Sequence, residues 1–184
     1  MKKIFITQIT IVIITLFTAT LISILLFSEN EQRNIKEEKE NSEKWLERMY
    51  IENNIYEAIH NDQYSLNIPE LQSDSPLFIC YYSSMTCKAC IDYAKSKIKE
   101  HISDTENSER IFFIACNFNE RVQFKETHTI KLNHRGHTLP IDESNSVCFF
   151  ILWNNTIFHT FIPESKFGSY TDFYLKEIKK KYFK

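Results

Sequence analysis

Leu77-Phe78-Ile79-Cys80-Tyr81-Tyr82-Ser83-Ser84-Met85-Thr86-Cys87-Lys88-Ala89-Cys90 is the stretch that decides how the chain is read. Its opening residues, Leu77 to Tyr82, are a near-continuous apolar run, the pattern of a strand buried on both faces. Ser75-Pro76 stops whatever precedes it. Beyond the loop Ser83 to Thr86, the residues Ile91, Ala94, Ile98 and Ile102 recur at helical spacing and predict an amphipathic helix. The cysteine pair therefore falls where a buried strand gives way to a helix. Cys87 lies at or just before the first helical turn, where unpaired backbone N–H groups and the positive end of the helix dipole stabilise a thiolate. Cys90 is one turn deeper and within reach of the same sulfur, and Lys88 adds a nearby positive charge. The thiolate is the attacking species in disulfide exchange, so the layout offers an attacking and a resolving cysteine. The same spacing also serves a structural disulfide or two packed thiols.

Downstream, polar residues Ser103 to Arg110 close the helix, and Ile111-Phe112-Phe113-Ile114-Ala115-Cys116 reads as a second buried strand. Asn119 is a candidate cap for a helix through Val122, Phe124 and His128. Thr129 to Asn145 carries no clear pattern. Val147 to Leu152 predicts a third strand, Asn154-Asn155 a tight turn, and Thr156 to Ile162 the antiparallel partner. Thr171 to Phe183 predicts a last helix with Tyr174, Leu175, Ile178 and Tyr182 on one face. Lys176, Lys179, Lys180 and Lys181 enrich the end of it that favours cations.

Upstream, Met1-Lys2-Lys3 is followed by Ile4 to Phe27 without one charged residue. As a helix that run is roughly 36 Å long, and about 20 apolar residues suffice to cross a bilayer core. A cleaved signal peptide would have a shorter apolar region ending in a small-x-small site, which is not found before Ser28-Glu29-Asn30. The expectation is an uncleaved anchor over residues 1–28, with Lys2 and Lys3 on the cytoplasmic side. Residues 29–68 read as a charged helical stalk, in which Glu40 and Lys44 stand at ion-pair spacing. Apolar residues return at Trp45, Leu46, Met49, Ile55, Tyr56 and Ile59, without the sustained heptad of a coiled coil. Residues 69–184 then form one soluble domain. The expected location is the inner membrane of a bacterial cell, single pass, with the domain on the extracytoplasmic, periplasmic side.

Composition narrows the functions. The chain has 184 residues and only 2 glycines, where about 7% is usual. Neither a GxxxxGK[ST] loop nor a GxGxxG turn exists, which excludes nucleotide binding of those two kinds. A net charge of −2 gives no basic footprint for nucleic acid. Cys80, Cys116 and Cys148 sit inside apolar strand runs and read as buried small hydrophobes. With 5 cysteines, at least one thiol is unpaired in a monomer. No second close pair suggests zinc. His128, His134 and His137 gather with Arg135 in a polar stretch that reads as a solvated loop, and Asp142-Glu143-Ser144 reads as a turn. Tyr81, Tyr82 and Trp153 read as core and rim rather than a ligand site.

From about Pro69 to Phe183 the outline resembles the thioredoxin-like superfamily. The matching pieces are the strand LFICYY, CKAC at a helix start, the strand IFFIACNF, the hairpin VCFFILWNNTIFHTFIP and a closing helix. More narrowly, it looks like short, envelope-anchored bacterial proteins of that kind. The resemblance implies an α/β, three-layer sandwich with a central mixed sheet, behind the anchor and stalk. It also implies thiol–disulfide exchange on the thiols or disulfides of exported proteins, Cys87 as nucleophile, Cys90 as resolver, an unknown redox partner, and no cofactor or metal. Two features depart from the family: Thr86 stands where an aromatic is usual, and Lys88-Ala89 where Gly-Pro or Pro-Pro is usual. The family also places a cis-proline facing the cysteines, at a position that falls here near Ser146-Val147, and the nearest proline is Pro140. Met85-Thr86-Cys87-x-x-Cys90 is also similar to the MTCxxC loop of heavy-metal-associated domains, whose thiolates suit Cu(I). Those domains carry glycine before the methionine, where this chain has Ser84, and do not end in a hairpin and helix. A third reading is a thioredoxin-like module whose cysteine pair is not catalytic.

Overall fold

The computed structural model describes residues 2–102, 108–119, 121–124, 126, 128–132 and 139–183, with backbone alone at 2–15, 108, 143 and 144. Contacts divide the chain into two compact units, Met1–Met49 and Tyr50–Lys184. Helix α1 runs from Lys2 to Asn61, because nothing in that stretch is Gly or Pro. From Leu16 to Trp45 its side chains are exposed, with Glu40 and Lys44 paired at 2.9 Å. Among the described residues, no helix is long and apolar enough to cross a membrane. The side chains of residues 2–15, which include half of the run Ile4–Phe27, lie outside those described.

The second unit is built on a five-stranded mixed sheet. Its strands are β1 (Leu77–Ser83), β2 (Ile111–Cys116), β3 (Thr129–Leu132), β4 (Cys148–Trp153) and β5 (Thr156–Phe161). Their spatial order is β3-β2-β1-β4-β5. β1 pairs parallel with β2, and β2 with β3, while β4 runs antiparallel to both β1 and β5. Every residue of β1 is buried, since it has strands on both sides and a core on each face. Phe78, Cys80 and Tyr82 point to one face, against Ala94 and Ile98 of α2 (Lys88–His101), Ile102 that caps it, and Leu175 and Ile178 of α4 (Gly168–Tyr182). Leu77, Ile79 and Tyr81 point to the other, under Leu66, Ile68, Leu71, Leu139 and Ile141. Strand, CxxC helix, parallel strand, antiparallel hairpin and closing helix are the α/β outline that the thioredoxin-like resemblance implies.

The third layer differs from expectation. No helix occurs among the described residues of 117–132. Asn119 accepts instead from the backbone N–H of Arg121 at 3.0 Å, and its carbonyl from Val122 at 2.9 Å, a turn rather than a cap. The cause is tertiary: Val122 stays exposed, and only Phe124 packs inward, edge-on to Tyr82 and Phe118. The chain then forms the edge strand β3 in the stretch without a pattern. The layer is completed by residues 66–71, including a 3₁₀ turn at Pro69–Leu71, and by the short helix α3 (Ile141–Ser144), where a turn is expected from the sequence. Tyr81 Oη donates a short hydrogen bond to Asp142 of α3.

The hairpin turns at Asn154-Asn155 with φ of 49° and 61°, the left-handed pair that a two-residue hairpin turn demands. β5 carries a bulge: Phe149 pairs with Phe161, but Ile151 pairs with Phe158. His159 absorbs the extra residue at φ 58°, in the left-handed region that histidine enters more readily than most side chains. Asp62 caps the bulge, accepting from the backbone N–H of His159 and from both the N–H and hydroxyl of Thr160. Residues 64–66 cover the β5 edge through Leu66 N to Asn155 O at 2.8 Å and Ile157 N to Tyr64 O at 3.3 Å. That leaves less free strand edge to recruit another chain.

Candidate active site

β1 is central and ends at Ser83, so whatever follows emerges at the carboxyl end of the sheet. The turn from β1 into α2 is tied by two hydroxyls. Thr86 Oγ1 accepts from the backbone N–H of Ser83 at 3.1 Å, and Ser83 Oγ accepts from the N–H of Met85 at 3.3 Å. The backbone N–H of Thr86 returns to the Ser83 carbonyl at 3.0 Å, and Ser84 N–H reaches Cys116 O of β2 at 2.9 Å. Thr86 is buried. It is a framing residue that sequence reading registers only as a departure from a family pattern. Its signal is a hydroxyl three residues after Ser83, the spacing of a side chain closing a turn.

Cys87 is the N-cap of α2, and Cys87–Cys90 is a disulfide. The Cys87 sulfur accepts from the backbone N–H of Cys90 at 3.1 Å, while the Cys87 carbonyl takes the N–H of Ile91 at 3.1 Å. The sulfur thus sits at the positive end of the helix with a donor aimed at it, the arrangement that favours a thiolate after reduction. Both cysteines are exposed. Lys88 contributes less charge to the sulfur than its position in the sequence suggests. Its ammonium is paired with Asp92 at 2.6 Å, on the solvent side of the helix.

Beside the disulfide lies a groove of about 470 Å³. One wall carries Met85, Thr86, Ala89 and Tyr93. Facing it are Asn145, Ser146 and Val147, and then Ile162 to Lys166. Ser146-Val147 therefore stands across from the pair, at the place given by the resemblance to the family's proline, and every peptide bond among the described residues is trans. Tyr93 has a buried hydroxyl with no hydrogen-bond partner among the described residues. It approaches Gly168 so closely that a Cβ there would lie 3.3 Å from the phenol oxygen, which accounts for one of the chain's two glycines. Ile162 to Lys166 are not flagged by the sequence, because their nearness to Cys87 comes from tertiary packing alone, whereas Tyr93 follows Cys90 by one helical turn and is readable from spacing.

The other candidates scatter. Cys80, Cys116 and Cys148 are outside any disulfide and buried in the sheet, as their apolar surroundings predict. Burial pushes the Cys80 and Cys148 thiols well above their usual range. Tyr81 and Tyr82 are core, and Trp153 lies on the exposed rim. His128 stacks on Phe112 with ring centroids 5.1 Å apart; His134, Arg135 and His137 lie outside the described residues. Glu100, His101 and Asp172 come together between α2 and α4. Lys97 already occupies the middle of that cluster, 2.8 Å from Asp172 and 3.0 Å from Glu100, and its hydrogen bond holds the Asp172 carboxyl below the usual range.

No family model matches the chain, and no curated protein does. Two solved structures overlap it. One is the reduced N-terminal domain of PilB from N. meningitidis, at 12% identity and a TM-score of 0.39, over 58% of this chain and 82% of that one. The other is a thioredoxin-like protein from Porphyromonas gingivalis, at 16% identity and a TM-score of 0.41, over 59% of this chain and 78% of that one. Overlap of that size is coarse, and the chemistry of the site stands on its own atoms.

Proposed function

We propose that the protein is a membrane-anchored thiol–disulfide exchange protein acting on exported proteins through Cys87 and Cys90. The observation that carries this reading is the exposed Cys87–Cys90 disulfide at the N-cap of α2, opening on a groove at the carboxyl end of the central strand. In the reduced protein the Cys87 thiolate attacks a substrate disulfide. The substrate S–S bond breaks, a Cys87–substrate disulfide forms and one substrate thiolate leaves. Cys90 then loses its proton to solvent and attacks the Cys87 sulfur. The internal disulfide forms, and the second substrate thiolate departs and is protonated by water. Two electrons pass from the protein dithiol to the substrate disulfide, and the reverse sequence oxidises a substrate dithiol. Cys87 serves in both directions: the donor at its sulfur makes it the better thiolate and the better leaving group. The Cu(I) reading is less well supported, because Ser84 stands where those domains carry glycine and the chain continues into the hairpin β4–β5 and the helix α4 that they lack.

Anchoring is proposed on the uncharged run Ile4–Phe27 within one continuous helix. In its described half, Leu16, Phe17, Leu21, Ile22 and Ile24 to Phe27 are exposed apolar side chains. The hydroxyls of Thr20 and Ser23 return to the carbonyls of Phe17 and Ala19 at 2.8 and 2.9 Å, so these two polar groups are satisfied within the helix. With Lys2 and Lys3 inside, the domain faces away from the cytoplasm of a bacterial cell.

The test is the equilibrium reduction potential of the pair in the full chain, with Cys80, Cys116 and Cys148 changed to Ala. A reversible two-electron transition between about −120 and −270 mV is expected, the span of exchange proteins. A value below about −300 mV makes the disulfide structural and the module non-catalytic. In spheroplasts, a membrane-impermeant maleimide should label Cys87 after mild reduction, and protection there overturns the topology.

A further inference from the structure

The second wall of the cysteine groove is held from a distant part of the sequence. Ile162 leaves β5 and begins the segment Ile162 to Lys166 that faces Cys87. Both of its backbone polar groups are taken by side chains from the last turns of α1. Its N–H donates to Asn54 Oδ1 at 2.7 Å, and its carbonyl accepts from Tyr50 Oη at 2.8 Å. Asn54 is itself fixed, since its Nδ2 donates to the Tyr50 carbonyl at 3.2 Å. The Tyr50 ring stacks on Phe167 with centroids 4.5 Å apart, and meets Phe161 edge-on at 6.3 Å. Tyr50 therefore grips the segment at both ends, at Phe161-Ile162 and at Phe167. Tyr50, Asn54 and Ile162 are all buried. A polar side chain is rarely placed in such a site without a defined partner, and here the partner is the main chain of the groove wall.

We infer that Tyr50 and Asn54 are positioning residues for the exchange site: they set the wall Ile162-Pro163 against Cys87 and thereby select the substrate. The inference rests on the exchange reading above and names what that site accepts. Because α1 satisfies both polar groups of Ile162, a substrate finds no hydrogen-bonding edge there. Buried Ile162, Pro163 and Val147 back the groove, the exposed side chains of Met85 and Ala89 give it an apolar lining beside the sulfurs, and Glu164, Ser165 and Lys166 are exposed at its edge. The substrate class is a polypeptide disulfide whose cysteine is flanked by apolar residues. A small hydrophilic disulfide reaches the exposed Cys87 without using the wall.

The experiment compares two oxidants of the reduced full-length chain in detergent. One is the disulfide dimer of a short peptide with leucine on each side of its cysteine, and the other is glutathione disulfide. Oxidation of Cys87–Cys90 is followed by acid quench and alkylation gel shift, and the readout is the ratio of the two second-order rate constants. Asn54→Ala and Tyr50→Phe should each lower that ratio about three- to tenfold, the loss of one hydrogen bond. Their rates with glutathione disulfide should stay unchanged. Asn54→Asp, which keeps the acceptor for Ile162, should restore the ratio. Ile55→Ala, on the exposed face of the same helix, should leave it alone. Tyr50→Phe retains the stack on Phe167, so it tests the contact even if Asn54→Ala fails to fold. An unchanged ratio in the folded variants overturns the inference while leaving exchange intact, and so does an equal slowing with both oxidants. A wild-type chain that reacts with neither oxidant overturns the exchange reading and this inference with it.

Discussion

The five cysteines occupy two environments, and the contrast between them explains the molecule better than the cysteine count does. Cys80, Cys116 and Cys148 project from strands into cores on both faces of the sheet. There the thiol is a small apolar plug, and burial pushes the Cys80 and Cys148 thiols above their usual range. Cys87 and Cys90 stand where the central strand runs out and a helix begins. The sulfur of Cys87 meets solvent, a backbone donor and the positive end of a helix. The same side chain is inert in one setting and redox-capable in the other, and the difference is supplied by backbone geometry and dielectric.

Removing the nucleophile gives the largest effect. Cys87→Ser should reduce exchange to the uncatalysed background, whereas Cys90→Ser should accumulate a mixed disulfide that a non-reducing gel resolves. Replacing the three sheet cysteines together by Ala should leave the exchange rate of the folded protein within about twofold, since none of them touches the groove. Loss of exchange in that triple variant, with the fold intact, would erase the division between the two environments.

Labelling sharpens the contrast without mutation. After mild reduction at neutral pH, Cys87 should react with iodoacetamide at least about tenfold faster than Cys90, the advantage of an N-cap thiolate. Cys80, Cys116 and Cys148 should not react until the chain unfolds. Equal, slow labelling of Cys87 and Cys90, read by peptide mass spectrometry, would remove the special status of the N-cap sulfur.

Much of this division is legible in the sequence. LFICYY and IFFIAC are apolar throughout, so Cys80 and Cys116 could be placed in strands before any coordinates. Asn154-Asn155 marks the hairpin, because few residues accept two consecutive left-handed conformations. The position of Cys87 at a strand-to-helix junction is likewise readable from periodicity. What is not readable is whatever depends on distant partners. Val122 and Phe124 lack helical spacing, and the packing of Phe124 on Tyr82 draws the chain into a turn and an edge strand instead. The groove wall at Ile162-Pro163 owes its place to Tyr50 and Asn54, more than a hundred residues earlier in the chain, and no local pattern encodes that contact.

Thr86 joins the two environments, being buried itself while holding the exposed Cys87. Thr86→Val keeps the shape and removes the acceptor for the Ser83 N–H. A buried donor left unpaired costs about 1–3 kcal/mol. The expected outcome is that loss in a urea titration, together with a smaller labelling ratio of Cys87 to Cys90 as the turn loosens. An unchanged titration would mean that the backbone of the turn, not the hydroxyl, frames the site.

The smallest effect is a divergence with pH. Cys80 and Cys148 keep their protons in the folded chain to higher pH than an ordinary thiol, whose value is 9.0. Above about pH 9 the unfolded chain has released protons that the folded chain still holds, so stability falls as pH rises. Below that value the contribution is fully present. Burial acts the same way on the phenols of Tyr81, Tyr82 and Tyr174 and steepens the fall at higher pH. Labelling of Cys87 moves in the opposite sense, rising as its thiolate forms and levelling off below pH 9. Between pH 7 and 10 the two curves should therefore separate, with Cys87 reactivity reaching its plateau before the urea midpoint declines. Changing Cys80 and Cys148 to Ala should flatten the first part of the decline and leave the labelling curve where it was. Coincident curves would mean that the Cys87 thiol titrates like the ordinary thiols of the unfolded chain, and that the helix start confers no advantage on it.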